Sequence, residues 1–153
     1  MKKISLLILT LFTLGIYMIN AQTNYTTSVG LGIDFGTGIT LVGPSGKYFF
    51  KNNQAAVAEL VFGSGVTGVT LLYQFHGNIP SSEGLKWFAG AGPSFTFIGG
   101  GTTFSARPNV GLDYKLSTIP LNFSFDWRPD ILISDDGGFE AARFGIGIRY
   151  VLN

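Results

Sequence analysis

The sequence predicts an all-β fold, an eight-stranded antiparallel up-and-down transmembrane β-barrel preceded by a cleaved signal peptide. Three observations predict it. Apolar side chains alternate with small or polar ones in eight segments after residue 22, and no stretch there has the apolar spacing of a helix. Only 12% of the residues are Asp, Glu, Lys or Arg, where about 25% is usual. The chain also contains 22 glycines, and this composition is unsuited to covering the surface of a water-soluble domain.

The start of the chain has the parts of a secretory signal peptide. Lys2 and Lys3 form a positive beginning, residues 4–19 are apolar and uncharged, and Ala21 is a small residue suited to the position before the cleavage site. The alternative is an N-terminal membrane anchor, which the length of the apolar stretch allows. Because the following residues are strand-like and carry no basic stop-transfer cluster, we expect cleavage.

The chain therefore divides into a signal peptide at residues 1–21 and one outer-membrane β-barrel domain at residues 22–153. Cleavage removes two lysines, which leaves eight basic residues against nine acidic ones and a net charge of about −1. A nearly neutral domain lacks the basic footprint of a nucleic-acid-binding protein. The chain has no cysteine, so neither a lipoprotein anchor nor a disulfide is available. We expect no nucleic-acid partner and no cofactor.

The eight segments are justified by their alternation and by the turns between them. In chain order they are SVGLGIDFG (28–36), KYFFK (47–51), AAVAELVFG (55–63), GVTLLYQFHG (68–77), LKWFAGAGPSFTFIG (85–99), PNVGLDYKL (108–116), LNFSFDWRP (121–129) and FGIGIRYVLN (144–153). Their average spacing of about 16 residues equals a membrane strand of about 9–11 residues plus a short turn. The eighth keeps its alternation up to the end of the chain.

Glycine, proline and asparagine clusters predict the turns. They are GTG with VGPSG (36–46), KNNQ, GSGVTG, GNIPSSEG, GGGTT, LSTIP and SDDGG. Most prolines are expected at strand ends, where a missing N–H is tolerated: Pro80, Pro108, Pro120 and Pro129. Pro93 falls inside the fifth segment and predicts a kink or bulge there.

Alternation alone does not decide which face points outward, since a soluble lipocalin-like barrel has the same period. The polar face consists mostly of Gly, Ser, Thr and Asn, which suits the narrow lumen of an eight-stranded barrel. The apolar face carries aromatic residues near strand ends, as in the interfacial girdles of membrane barrels: Tyr48, Phe75, Trp87, Tyr114, Trp127 and Tyr150. We therefore expect the apolar face to contact lipid. An exported soluble ligand-binding barrel is the alternative.

The same strand phases point charged side chains into the lumen. They include Lys47 and a predicted charge network formed by Asp34, Glu59, Asp113, Lys115, Asp126, Arg128, Arg143 and Arg149. Because an unpaired buried charge is costly, we expect these acids and bases to pair and to fill the lumen. The alternative is a narrow polar channel.

The sequence predicts no catalytic or metal site. His76 is the only histidine and therefore the only histidine base available for hydrolysis. It precedes a predicted turn at the periplasmic end of the fourth strand, so we expect a structural role and no enzymatic activity. Asp135 and Asp136 lack the spacing and closing Glu of a calcium-binding EF-hand loop. The predicted outward loops are short and carry no aromatic anchor, so surface binding is only an alternative function.

Several segments in order resemble those of small outer-membrane β-barrel proteins of Gram-negative bacteria, the OmpA/OmpX-like group. They are GKYFF, VTLLYQFH, LKWFAGAG, VGLDYKL, IPLNFSFDWRPD and FGIGIRYVLN. The resemblance covers essentially the whole mature chain. It implies an even-stranded barrel inserted by the outer-membrane assembly machinery, with no assigned activity for most members. We also expect a monomer in outer-membrane lipid and periplasmic chaperones as partners before insertion. A structural or envelope-integrity role is the expected function.

The closing segment is the predicted insertion signal for that machinery. Its expected lipid-facing residues are Phe144, Ile146, Ile148 and Tyr150. Members of the group commonly end in Phe or Trp, whereas this chain ends in Leu152 and Asn153. Recognition would then depend on Tyr150 and on the alternation that precedes it.

Overall fold

The structure is a computed structural model in which residues 25–134 and 137–152 are described. The predicted signal peptide and the pair Asp135 and Asp136 lie outside these residues. The described chain forms ten strands: β1 (Thr27–Gly36), β2 (Ile39–Lys51), β3 (Gln54–Gly63), β4 (Val66–Asn78), β5 (Leu85–Ile98), β6 (Gly101–Lys115), β7 (Leu121–Trp127), β8 (Asp130–Leu132), β9 (Gly138–Glu140) and β10 (Arg143–Val151). Within it no helix is long and apolar enough to cross a membrane.

Eight of these strands close into an antiparallel barrel. Each of β1 to β6 pairs with the next strand along the chain, and β10 pairs with both β7 and β1. Closure leaves no free edge along the wall, so the backbone groups of each strand are paired on both sides. The predicted eight-stranded up-and-down barrel is confirmed. Tyr25 and Leu152 lie at one end, here called the terminal end, and the opposite end is the loop end.

Three tight turns at the loop end have the backbone expected of two-residue hairpins. Both central residues have positive φ in each: 46° and 79° at Thr37–Gly38, 51° and 75° at Ser64–Gly65, and 55° and 81° at Gly99–Gly100. This is the type I′ pattern, which matches the twist of the flanking strands and favours glycine. The Gly clusters of the sequence therefore act as hairpin turns.

Two prolines lie inside strands that the sequence predicted to begin later. The segment 42–46, predicted as part of a turn, belongs to β2, and its Pro44 lies opposite Leu31 of β1. Pro108, predicted at a strand end, is the eighth residue of β6. It lies just before Val110, where the pairing of β6 with β7 ends. Proline thus occurs where the ladder is locally interrupted, and it need not mark a turn.

Of the kink or bulge predicted at Pro93, the register excludes the bulge. Thr70 lies opposite Ser94 and Tyr73 opposite Ala91, which is the same register on both sides of the proline. The pairing with β6 is also continuous, with Pro93 opposite Ala106. The missing N–H interrupts the ladder without adding a residue, so the strand keeps its phase.

The connection from β7 to β10 contains structure that the sequence did not predict. β8 and β9 form a short hairpin, and β8 also pairs with β6 through Ser105 and Leu132. This extension, here called the β8–β9 hairpin, rises above the wall at the loop end. It exposes Ile131, Ile133 and Phe139, the last with 64% of its surface accessible. Phe139 lies just beyond the predicted turn SDDGG, so an exposed aromatic residue borders this outer connection.

The barrel is polar inside and apolar outside. Exposed apolar side chains occur along the outer face of every wall strand, as at Val29, Leu60, Leu71 and Phe125. Buried charged and hydroxyl side chains occupy the lumen. Small apolar clusters lie near its two ends, with Tyr25, Phe49, Ala55 and Val151 at the terminal end and Leu41, Val61 and Val66 at the loop end. This distribution is the reverse of a soluble lipocalin-like barrel and fits the predicted transmembrane class.

Candidate functional site

The charged lumen is the candidate functional site, and its ion pairs form three tiers along the barrel axis. The loop tier contains Asp34, Arg107, Asp130 and Arg143; the middle tier contains Glu59, Asp126, Arg128 and Arg149; the terminal tier contains Tyr25, Lys47, His76, Asp113 and Asn122. Each tier joins side chains from different strands. The strand alternation places them, because residues of one parity on each strand point inward.

In the loop tier two arginines share two aspartates. Arg107 on β6 donates from Nε and Nη2 to the two oxygens of Asp130, at 2.7 and 2.6 Å, and from Nη1 to Asp34 on β1. Arg143 on β10 donates from Nη2 to the other oxygen of Asp34. The forked contact of Arg107 is the geometry in which a guanidinium binds a carboxylate most strongly.

The middle tier spans the lumen. Arg128, just after β7, donates from Nε and Nη2 to Asp126 at 2.8 and 2.7 Å and from Nη1 to Glu59 on β3. Arg149 on β10 donates to the other oxygen of Glu59 at 3.2 Å and to Ser45 and Ser124 at 2.9 Å each. Because β3 faces β7 and β10 across the barrel, these bonds cross its interior.

Two glycines of β10 make room for these arginines. A Cβ at Gly145 would overlap the guanidinium of Arg128, and a Cβ at Gly147 would overlap that of Arg149. In the sequence these glycines alternate with the apolar residues of the last strand. Their place in the structure explains why small residues are needed there, since an eight-stranded lumen is only wide enough for the side chains that fill it.

The terminal tier combines charge and aromatic rings. Lys47 on β2 donates to Asp113 on β6 at 3.1 Å, and Asn122 and the Tyr25 hydroxyl also donate to Asp113, at 2.8 and 3.1 Å. His76 lies 3.5 Å from the Lys47 Nζ and 3.7 Å from Asp113. β2 and β6 are on opposite sides of the barrel, so this tier also bridges the lumen.

Seven of the eight predicted network residues lie in these tiers, and Lys115 does not. Lys115 has the inward phase, but it is the last residue of β6 and is only half-buried. Its Nζ donates to the carbonyl of Leu116 at 2.8 Å instead of to an acid. The side chain therefore lies at the rim of the terminal end, where a partly solvent-accessible ammonium group does not require an ion pair.

Three buried charged residues were not among the predicted lumen residues: Lys86, Arg107 and Asp130. Arg107 and Asp130 lie beyond the predicted bounds of their strands, because β6 begins at Gly101 and a further strand follows Pro129. Extending the parity of Asp113 back along β6 would have found Arg107. Lys86 precedes the outward Trp87, and the same alternation would have assigned it inward.

The six predicted girdle residues all lie on the outer face, and five of them are at the terminal end. These five pair close to the chain termini or to the turns at the terminal end: Tyr48, Phe75, Trp87, Tyr114 and Tyr150. Trp127 lies toward the loop end, opposite Phe144. The loop end is otherwise bordered by phenylalanines, such as Phe62 and Phe97. Four of the five predicted girdle residues that are Tyr or Trp thus lie at the terminal end, and Trp127 is the exception.

The four residues predicted as the insertion signal lie on the outer face of β10. Phe144 stacks near Phe35 of β1 and Phe125 of β7, with ring centroids 5.8 and 6.1 Å apart. Ile148 and Tyr150 are exposed, at 39% and 54% of their surface. Ile146 lies between Ile33 and Phe125 in the register. Their role in assembly stays a prediction.

His76 is enclosed by aromatic rings inside the terminal tier. Its ring centroid lies 4.7 Å from that of Phe49 and 5.3 Å from that of Phe88, and the residue is 1% exposed. Its nearest charged partners are Lys47 and Asp113, and no serine hydroxyl is bonded to it in residues 25–134 and 137–152. The described part of the chain also holds no group of three or more His, Asp or Glu residues arranged to bind a metal ion.

Comparison with known proteins agrees with this geometry. No protein-family model and no curated protein matches the sequence. The chain is similar to the N-terminal β-barrel domain of Pseudomonas aeruginosa OprF, with a TM-score of 0.63, 17% identity, and coverage of 84% of this chain and 100% of that one. It is also similar to the de novo designed TMB2.3 (TM-score 0.59, 13% identity, 84% and 95% coverage) and to Neisserial surface protein A (TM-score 0.51, 14% identity, 84% and 96% coverage).

The likeness to these structures concerns the fold, because the identities are low. OprF and Neisserial surface protein A are outer-membrane proteins of Gram-negative bacteria. They share with this chain a closed antiparallel barrel over nearly their whole length. The chain therefore has the fold of the small OmpA/OmpX-like outer-membrane β-barrels.

Proposed function

We propose that this protein is a monomeric integral barrel of the outer membrane that stabilises the envelope, with a lumen filled by its own side chains and no catalytic activity. The observation that carries this proposal is the set of ion pairs that cross the lumen inside an apolar outer face. A membrane barrel built to conduct would keep its interior open, whereas this interior is bonded across at three heights.

The bridges explain why the lumen is blocked. Arg128 reaches Glu59 across the barrel, Arg107 reaches Asp34, and Lys47 reaches Asp113. All six side chains are buried. Breaking a buried ion pair is costly because it leaves charges without compensation. A solute would have to break at least one pair in each tier, which supports a structural barrel over the narrow channel that is its alternative.

The outer face supports the location. The apolar side chains of the wall would be exposed to water in any soluble state, and patches of that size cause aggregation in water. Lipid removes this cost. Outer-membrane lipid is therefore the first proposed partner, and periplasmic chaperones and the insertion machinery are proposed for the exported chain before it folds.

The blocked lumen is tested by electrical recording. The mature protein, refolded into a planar lipid bilayer, is expected to give no steady current, and folding is verified by a heat-dependent gel mobility shift of the same preparation. The variant Glu59→Ala with Arg128→Ala, which removes the middle bridge, is expected to give intermittent currents. Steady conductance from the unaltered protein would overturn the closed lumen.

The envelope role is tested in the cells that make the protein. Membranes separated by density are expected to contain it in the outer-membrane fraction. Cells that lack it are expected to lose resistance to detergent, and the unaltered gene is expected to restore it. Recovery of the protein in the soluble periplasmic fraction would instead favour the exported ligand-binding barrel.

A further inference from the structure

We infer that the loop end of the lumen is a binding site for a small zwitterion with a short aliphatic arm, such as an aliphatic amino acid. A cavity of about 240 Å³ lies above the loop tier and is lined by the upper ends of the wall strands and by the β8–β9 hairpin. The blocked lumen forms its floor. The site therefore requires no passage through the barrel and goes beyond the structural role proposed above.

The floor of this cavity offers a hydrogen-bond donor that lacks an acceptor. Arg143 is 5% exposed, and its Nη2 binds Asp34. Its Nε has no hydrogen-bond partner in the described chain, because the Asp130 carboxylate with which it forms an ion pair is 4.0 Å away, too far for a hydrogen bond. A buried guanidinium N–H without a partner is costly, and a ligand carboxylate would satisfy it with a charge-assisted bond.

The rim offers the opposite charge. Glu140, the last residue of the β8–β9 hairpin, lines the same cavity. The ion pairs of the loop tier join Arg107 and Arg143 to Asp34 and Asp130, and none of these four includes Glu140. Two arginines against two aspartates leave the floor neutral, so the described residues that line the cavity carry a net charge of −1, which comes from Glu140. A simple anion is disfavoured by this balance, and a ligand that also carries an ammonium group is favoured.

One wall of the cavity is apolar. Leu41, Val61 and Val66 are 4%, 2% and 5% exposed and form a cluster with the half-buried Ile39. The neighbouring part of the lining, on β4 and β5, carries hydroxyl groups, including those of Thr70 and Ser94, which bond to each other at 2.8 Å. Pockets of this kind bind by an apolar surface and orient the ligand with a few polar groups. A short aliphatic arm fits the apolar wall, while the charged ends reach Arg143 and Glu140.

The test uses the whole mature protein folded in detergent micelles and L-leucine as the probe, with binding measured by titration calorimetry. We expect saturable binding of L-leucine. Weaker binding is expected for three analogues that each lack one feature: 4-methylpentanoate lacks the ammonium group, leucinamide lacks the carboxylate, and glycine lacks the aliphatic arm. Equal binding of 4-methylpentanoate and L-leucine would overturn the assignment of a zwitterion.

Two substitutions in the cavity lining, Glu140→Gln and Val61→Thr, and one control substitution locate the site without changing the ion pairs. Glu140→Gln is expected to weaken L-leucine binding about tenfold, the loss of one charge-assisted contact. Glu83→Gln, the same change at an exposed acid of the opposite end, is expected to leave it unchanged. Val61→Thr keeps the side-chain shape but places a hydroxyl group in the apolar wall. It is expected to weaken the binding of L-leucine and to leave the binding of glycine, which has no aliphatic arm, unchanged.

The folded state of each variant is checked by its heat-dependent gel mobility, so that a loss of binding is not confused with misfolding. Absence of L-leucine binding up to its solubility limit would overturn the inference while leaving the structural barrel intact. So would an equal effect of Glu83→Gln and Glu140→Gln.

Discussion

The charges in the lumen stabilise the barrel only as complete sets. Glu59 accepts from both Arg128 and Arg149, so it is the one acid that holds two arginines in the middle tier. Its removal leaves buried positive charge without compensation. Replacing a whole buried pair with apolar residues is often harmless, but removing one partner costs about 3–5 kcal/mol.

Glu59→Gln is therefore expected to lower the free energy of unfolding by about 3 kcal/mol. The urea midpoint of the heat-shifted gel band, measured in lipid vesicles, reports this change. Glu83→Gln is the control, because Glu83 is exposed in the turn between β4 and β5. Equal midpoints for the two variants would show that the middle tier contributes nothing to stability.

Glycine is required at positions where the backbone of a neighbouring strand leaves no room for a Cβ atom. A Cβ at Gly111 would overlap the carbonyl oxygen of Phe125 and lie 2.5 Å from the Cβ of Asp126. At Gly46, on the outer face, a Cβ would meet nothing within 4 Å. The first position therefore controls the placement of Asp126, and the second does not.

Gly111→Ala is expected to destabilise the barrel by about 1–3 kcal/mol, as inserted core methyl groups do. Gly46→Ala is expected to be tolerated. Both are measured by the fraction of protein that shifts on heating after refolding into vesicles. A normal yield for Gly111→Ala, or an equal loss for both variants, would contradict the close approach of β6 and β7.

The alternation along a strand predicts which charged side chains face inward. This rule can be applied only to residues that fall within the predicted bounds of a strand. Asp34, Glu59, Asp113 and Asp126 could be assigned from alternation alone. Arg107 and Asp130 were missed because they lie outside the predicted segments, although the parity of Asp113 reaches Arg107 once β6 is extended to Gly101. Which acid binds which arginine depends on the strands that face each other across the barrel, and no local pattern carries that information.

At the scale of elements, the eight wall strands were predictable and the β8–β9 hairpin was not. The wall strands are long and keep strict alternation, which periodicity detects well. β8 and β9 have three residues each, and β8 follows Pro129, which predicts an end. The hairpin forms because β8 pairs with the part of β6 that lies beyond its pairing with β7. The local sequence carries no signal for this tertiary contact.

The last strand is the element on which closure depends. β10 pairs with β7 and β1, so the barrel cannot close without it. Tyr150 lies on its outer face near the terminal end, with 54% of its surface exposed. A charged group at this position would have to lie near lipid, which destabilises membrane barrels.

Tyr150→Asp is expected to reduce the amount of assembled protein in the outer membrane severalfold, and Tyr150→Phe, which keeps the ring, is expected to preserve it. Quantitative immunoblotting of unheated outer-membrane fractions measures the difference. Deletion of residues 144–153 is expected to abolish assembly. Normal assembly of Tyr150→Asp would show that the insertion signal does not depend on this residue.

At the scale of the whole molecule, polar and apolar faces are exchanged relative to a soluble barrel. The small apolar clusters at the two ends are too few to form a core, and the interior is held by hydrogen bonds and ion pairs. Stability then requires lipid outside, because the apolar wall has no other partner within the described chain. The central claim is that this fold forms in a membrane and not in water.

That claim is tested most directly by diluting the urea-unfolded mature protein into lipid vesicles and comparing its gel mobility before and after heating. We expect the unheated protein to migrate as a compact band that shifts on heating, with a β-type circular dichroism spectrum. Dilution into buffer without lipid is expected to give aggregates. A stable, folded monomer in plain buffer would contradict the account.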